Sequence, residues 1–114
     1  MPSSHLERGR RGEDLAAAWY ARHGYELVAR NWRCSTGEVD LIVRRAELLV
    51  ICEVKARRSD AYGPPAAAVG RVKQQRIRRL AAEWLATAGV HGVEVRFDVV
   101  AVTGIEVEVI EGAF

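Results

Sequence analysis

Two β-branched, apolar runs, Val39–Val43 and Leu48–Val54, stand only four residues apart, joined by Arg44-Arg45-Ala46-Glu47. Runs of this kind on either side of a short polar connection form a β-hairpin. So much Val, Ile and Leu on adjacent strands demands cover, and the remaining segments must supply it. Ser4-x-x-Glu7 has the form of a capping box. A helix from there runs to His23, ends at Gly24 as a left-handed terminator, and carries Leu15, Ala16, Trp19 and Tyr20 as its apolar stripe. Gly9 and Gly12 each cost about 1 kcal/mol inside a helix, so its first turns are expected to fray.

Tyr25–Trp32 reads as a strand and Cys34-Ser35-Thr36-Gly37 as a turn. Arg57 to Pro65, with Ser, Asp, Gly and two prolines, reads as a loop, followed by a helix from Ala66 to about Ala88 that Gly89 closes. Val93–Val102 and Ile105–Ile110 alternate with period two around Thr103-Gly104. The order α-β-β-β-α-β-β predicts an α/β fold, a mixed β-sheet flanked by helices. At 114 residues the chain is expected to form a single domain over 1–114, with its core at about 6–111 and a flexible terminus at 1–5.

Composition removes several classes of function. With 49% hydrophobic and 28% charged residues the chain has the make-up of a globular protein rather than a disordered one. No apolar run approaches the roughly 20 residues needed to cross a bilayer, and no secretory signal follows the basic start, so no membrane association and a cytoplasmic location are expected. Cys34 and Cys52 fit neither a disulfide framework nor a metal knuckle. His5, His23 and His91 have no zinc spacing, and there is no Walker-type glycine loop. The net charge of +2 conceals an asymmetry: residues 1–79 balance to +7 and residues 80–114 to −5. Such a division fits either a solvated basic face or a surface that meets a polyanion.

The chemistry concentrates on the hairpin. Glu53 and Lys55 are two apart and share a face. A tight turn near Arg45-Ala46 pairs positions whose numbers sum to 91, which sets Asp40 opposite Ile51 and diagonal to Glu53. Any odd sum keeps the three charged groups on one face, together with Ile42, Leu49 and Ile51. Charges among apolar neighbours are seldom tolerated unless paired or metal-bound. Asp40 and Glu53 are hard oxygen donors suited to Mg²⁺ or Mn²⁺, and the backbone carbonyl of Val54 offers another. Lys55 would orient a water or stabilise charge growing on phosphorus. That combination suits metal-assisted phosphodiester hydrolysis. The plainer alternative is a structural Glu53–Lys55 pair beside an exposed Asp40.

Gly9-Arg-Arg-Gly12-Glu13-Asp-Leu-Ala16, His23-Gly24-Tyr25, Arg30-Asn31-Trp32-Arg33, Gly37-Glu38-Val39-Asp40-Leu41-Ile42 and Glu53-Val54-Lys55-Ala-Arg57 occur in this order. Gly63, Val69, Lys73 and Arg96-Phe97-Asp98-Val99-Val100 follow. From about Leu6 to Val102 the chain resembles the YraN-like family of uncharacterised bacterial proteins. That family is similar to restriction-endonuclease-like nucleases of the PD-(D/E)xK type, especially Holliday-junction resolvases. The resemblance implies a restriction-endonuclease-like sheet in which Glu13, Asp40, Glu53 and Lys55 match the active-site positions, with Glu13 approaching from the first helix as a further metal ligand. Glu38-Val39-Asp40 lacks the proline that precedes the aspartate in the nominal motif.

Arg30 and Arg33 flank Trp32, and Arg57, Arg58, Lys73 and Arg76 lie in the loop and second helix, all candidates for phosphate contact. At 100° per residue Val69, Val72, Ile77, Leu80 and Trp84 make the buried stripe of that helix, while Arg71, Arg78 and Arg79 face solvent. Lys73 falls within the stripe, so it either snorkels along the core edge or points at the site. Trp19, Trp32 and Trp84 are expected in the core, Cys52 as inert core and Cys34 as exposed. Glu38 is either a secondary ligand or an exposed strand-start carboxylate.

Two functions are compatible with these features: a metal-dependent nuclease acting on DNA ahead of RNA, including branched or flapped structures, and a nucleic-acid-binding accessory protein that keeps the fold with little activity alone. Junction resolution requires two sites, so the first predicts a homodimer, with the free edges of the Val93–Ile110 hairpin as the pairing surface.

Overall fold

The computed structural model describes residues 4–57 and 69–114. Arg58, Gly63, most of the expected 57–65 loop, the expected helix start at Ala66 and the first three residues of the 1–5 terminus lie outside them. The chain forms α1 (Ser4–Arg22), β1 (Glu26–Cys34), β2 (Gly37–Arg45), β3 (Leu48–Arg57), α2 (Arg71–Ala88), β4 (Glu94–Thr103) and β5 (Glu106–Ile110). This is the expected order, on one five-stranded mixed sheet in the order β1-β2-β3-β4-β5. β3 and β4 pair in parallel across the α2 crossover, and every other pair is antiparallel.

The two helices cover opposite faces, which is why the central strands are apolar in continuous runs rather than in alternation. On one face Ala16 and Tyr20 of α1 pack with Tyr25, Leu41, Val43, Val50, Cys52, Val100 and Val102. On the other Ile77, Leu80, Ala81 and Trp84 of α2 pack with Ile42, Leu49, Ile51, Phe97 and Val99. Val69 is buried as expected but stands before the helix, which begins after Gly70. Val72 departs from expectation and is 71% exposed. The buried arc is centred between Leu80 and Ala81, and at 100° per residue Val72 falls more than a right angle away while Lys73 lies on it. Gly89, at φ +66, closes the helix as expected.

The hairpin register differs by two residues from the expected one. Arg45 pairs with Leu48 and Leu41 with Cys52, so partners sum to 93 rather than 91, and Ala46 takes φ +53 in a two-residue turn. Asp40 is therefore level with Glu53, not with Ile51. Parity is preserved. β4 is an interior strand of the sheet, so of the Val93–Ile110 hairpin only β5 offers a free edge.

A fully buried carboxylate ties α1 and the C-terminus to β4. Asp98 has no exposed surface, and it accepts from Tyr20 Oη at 2.6 Å, from Arg96 through two nitrogens at 2.8 and 2.9 Å, and from the Gly112 N–H at 3.1 Å. Such a charge is tolerated because each oxygen is satisfied and its counter-ion is bidentate.

α1 is helical through both Gly9 and Gly12, and the two glycines differ in reason. A methyl group at Gly12 would stand 2.9 Å from the Ala56 Cβ, so only glycine permits this approach of α1 to β3, whereas one at Gly9 would meet nothing within 4 Å. Gly9→Ala is expected to stabilise the protein by about 0.5–1 kcal/mol through helix propensity. Gly12→Ala is expected to destabilise it by about 1–2 kcal/mol, overpacking outweighing that gain. Urea denaturation of the two variants beside the wild type checks both signs.

Candidate active site

The β2–β3 ladder runs from Arg45↔Leu48 to Leu41↔Cys52. One step further the Val54 N–H donates not to a β2 carbonyl but to the Asp40 Oδ2, at 2.8 Å. In an antiparallel pair a residue sends its N–H and C=O toward the same neighbour. The Val54 carbonyl accordingly faces the same opening between β2 and β3 that Asp40 occupies. On the far side of β2, Asn31 lies level with Asp40, between the pairs Arg30↔Leu41 and Trp32↔Val39, with φ +54. Asparagine enters this left-handed region more readily than other residues with a side chain, and here it does so within a strand.

Around this opening the charges are paired in sequence. Asp40 and Glu53 are hydrogen-bonded, and Lys73 Nζ of α2 sits 2.7 Å from the Glu53 Oε2. Burial, then the hydrogen bond and charge of Glu53, push the Asp40 carboxyl up to about 8, against the opposing pull of the Val54 N–H. Burial acts against the Glu53 charge as well, but the hydrogen bond from Asp40 and the ammonium groups of Lys73 and Lys55 outweigh it and hold Glu53 below the usual range. The pair thus shares one proton, carried on Asp40. Lys55 and Lys73 are close neighbours. Burial and the neighbouring Lys73 lower Lys55, whereas the bond to Glu53 overcomes burial and raises Lys73. Of the two lysines, Lys55 is the one whose proton is the more weakly held.

The residues expected from sequence meet this site unequally. Asp40, Glu53, Lys55 and the Val54 backbone come together, and Lys73 points at the site instead of snorkelling away from it. Glu13 approaches from α1 closely enough for its charge to raise Asp40. Its Oε1, however, is held by Asn31 Nδ2 at 3.0 Å and Arg30 Nε at 3.4 Å. Among the described residues no three acidic, histidine or cysteine side chains converge. Arg30 is engaged with Asp14 at 2.6 Å as well as with Glu13. Arg33 pairs with Glu38 at 2.8 Å on the surface, which places Glu38 as an exposed carboxylate at the strand start. Arg76 is exposed on α2 beside Gly37, and Arg57 is half-buried at the end of β3.

Trp32 and Trp84 pack in or against the α2 core, and Cys52 is buried, as expected. Cys34 is half-buried rather than exposed, its Sγ 3.7 Å from Glu83 Oε1, because the end of β1 lies under α2. Arg78, although exposed, stacks over Phe97 at 4.7 Å. Asn31 was not singled out by its sequence position, and no composition or spacing signal marks a left-handed residue inside a strand.

The comparisons with known proteins cover this same assembly. Residues 12–102 match the family model described as "Uncharacterised protein family UPF0102". The chain belongs to the UPF0102 family. The match opens at Gly12, where α1 touches β3, and takes in Glu13, Asn31, Asp40, Glu53, Lys55 and Lys73. Similar relatives, all described as UPF0102 proteins, include one from Beutenbergia cavernae, 54% identical over 82% of this chain and 80% of its own length. One from Rhodococcus jostii is 55% identical over 85% and 82%, and one from Syntrophus aciditrophicus is 42% identical over 98% and 91%. No described helix is long and apolar enough to cross a membrane.

The shared proton has a consequence for stability. The folded protein keeps the Asp40 proton from about pH 4 to about 8, while the unfolded chain has lost it, so this group makes stability fall as pH rises through that window. Asparagine keeps an acceptor for Val54 and a donor for Glu53 but cannot ionise. Asp40→Asn is expected to be more stable than wild type by up to about 5 kcal/mol at pH 8, with the gain shrinking toward pH 4. Denaturation midpoints of both proteins at pH 4.5, 6 and 8 measure it.

Proposed function

We propose that the chain is a metal-dependent nuclease hydrolysing phosphodiester bonds in DNA, including branched or flapped structures, on a restriction-endonuclease-like fold. The observation that carries this reading is the convergence of Asp40 and Glu53 with Lys55 and Lys73 where β2 opens from β3. A binding surface for a polyanion has no use for carboxylates unless a cation accompanies them, and a purely structural ion pair has no use for the second lysine.

The donor set fits Mg²⁺ or Mn²⁺. Mg²⁺ is commonly held through one or two carboxylates, with water and substrate phosphate completing its shell. Asp40, Glu53 and the Val54 carbonyl would supply that set, while Glu13 is held by Arg30 and Asn31. When bound, such an ion supplies Lewis-acid polarisation of the phosphate and a more acidic water. Asp40 would hold such an ion only as the carboxylate, without the proton that it shares with Glu53. Lys55 orients the attacking water or stabilises the charge growing on phosphorus. Lys73, with 37% of its side chain exposed, pairs with a non-bridging oxygen of the phosphate. Water adds to phosphorus, one P–O ester bond breaks, and the departing oxygen takes up a proton.

Labelled single-stranded, duplex, flapped and four-way DNA, together with RNA, incubated with Mn²⁺ or Mg²⁺ test the reading. Cleavage is expected to require metal and to fall by about 10²–10⁴-fold in Glu53→Ala and in Lys55→Ala, each shown by circular dichroism to be folded. Wild type that cuts nothing, or variants that cut as well as wild type, would leave the accessory nucleic-acid-binding role in its place.

A further inference from the structure

A cavity of about 400 Å³ lies where the first turns of α1 face the ends of β3 and β4. Its lining includes the small or apolar Gly12, Ala56 and Val102, and Gly104 of the β4–β5 turn, φ +63. It is also lined by three arginines, Arg8, Arg11 and Arg57, against the single acidic residue Glu7. Among the described residues Arg8 and Arg11 form no ion pair and no side-chain hydrogen bond. By contrast, Arg30, Arg33, Arg44 and Arg96 all have carboxylate partners. Arg8 and Arg11 are three apart on one helix and so project toward the same side.

We propose that this cavity binds a phosphate of a nucleic-acid strand whose scissile bond lies at the Asp40–Glu53 site. Planar guanidinium forks match phosphate oxygens in bidentate geometry, and a concave basic site raises the local concentration of an anion. The two sites are neighbours. Gly12 lines the cavity and the next residue, Glu13, is felt by Asp40, while Arg57 lies on the same strand as Glu53. The cavity opens on the α1 face, where Ala56 and Val102 lie, and Glu53 meets Lys73 on the α2 face, so a nucleic-acid strand that reaches both passes over the ends of β3 and β4. The cavity selects strands that carry a phosphate there, terminal or internal.

This inference rests on the nucleic-acid reading of the site, but its test does not need cleavage. Oligonucleotides with and without a terminal 5′-phosphate, and inorganic phosphate alone, are titrated without metal into wild type and an Arg8→Ala/Arg11→Ala double variant. Amide shifts of uniformly ¹⁵N-labelled protein and binding affinity across a salt series are read. In wild type the amides of Arg8, Arg11, Gly12 and Gly104 are expected to move with both strands and phosphate. The double variant is expected to bind strands about 10-fold more weakly, with the slope of log K on log[salt] reduced by about 1.4–1.8 for two lost contacts. Preference for the 5′-phosphorylated strand assigns the cavity to a terminal phosphate, and equal binding assigns it to an internal one. An unchanged salt slope in the variant, or shifts confined to other residues, overturns the proposal. Wild type that binds strands through the cavity but cuts none overturns the nuclease reading and leaves this site standing.

Discussion

The hydrogen bond from the Val54 N–H to Asp40 is the constraint on which the site depends. In an unbroken ladder that donor would meet a β2 carbonyl, and the two strands would leave no room for anything else. Substituting a side-chain oxygen lets β2 part from β3 while the buried N–H stays satisfied, as any buried backbone donor must be. The opening then admits Glu53 and Lys55 from β3 and Lys73 from α2. Asn31 completes the arrangement from β1. Its left-handed backbone lies level with Asp40, and its amide reaches Glu13 on α1, so one residue accommodates the distortion and anchors the third acid. The strain of such a conformation persists only where surrounding contacts hold it.

Much of this was legible because strand geometry is forgiving in one specific way. The turn was placed a residue early, so the register was wrong by two, yet a shift of two returns every side chain to its own face. Asp40, Glu53 and Lys55 therefore fell together on the sequence argument despite the error. Lys73 was legible for a similar reason, since its angle on the helical wheel does not depend on where the helix begins. Val72 was misplaced because it was grouped with the stripe by its apolar character, and its angle points it away from the sheet.

What sequence did not reveal depends on contacts between distant positions. Asp98 lies within a run of apolar residues, and its partners Tyr20 and Gly112 are 78 and 14 residues away. Period-two reasoning places it on the α1 face but offers no counter-ion beyond Arg96, and it cannot anticipate a backbone donor from the C-terminus. Gly12 was read as a weakness of the helix, because propensity takes no account of a neighbouring strand. The Ala56 methyl group 2.9 Å from a hypothetical Cβ turns that weakness into the condition for bringing Glu13 to the sheet.

Asp40 and Asp98 make the functional argument by contrast. Both are aspartates on the same sheet, both are largely withdrawn from water, and they lie on opposite faces. Asp98 is surrounded by donors: a guanidinium, a phenol and a peptide N–H satisfy both its oxygens, which is how a fold retains a charge for its own architecture. Asp40 has one backbone donor and faces a second carboxylate, so it keeps a proton that an aspartate at neutral pH ordinarily loses. Nothing in packing requires that arrangement, since an asparagine would fill the same space without the conflict. On the proposed reading, two acids that share a proton would become two anionic ligands once a cation replaced it, and the ammonium of Lys73 already marks where positive charge is favoured. A carboxylate pair that is unfavourable for folding, where a plain salt bridge would serve the architecture, is the physical ground on which the proposed catalytic role rests.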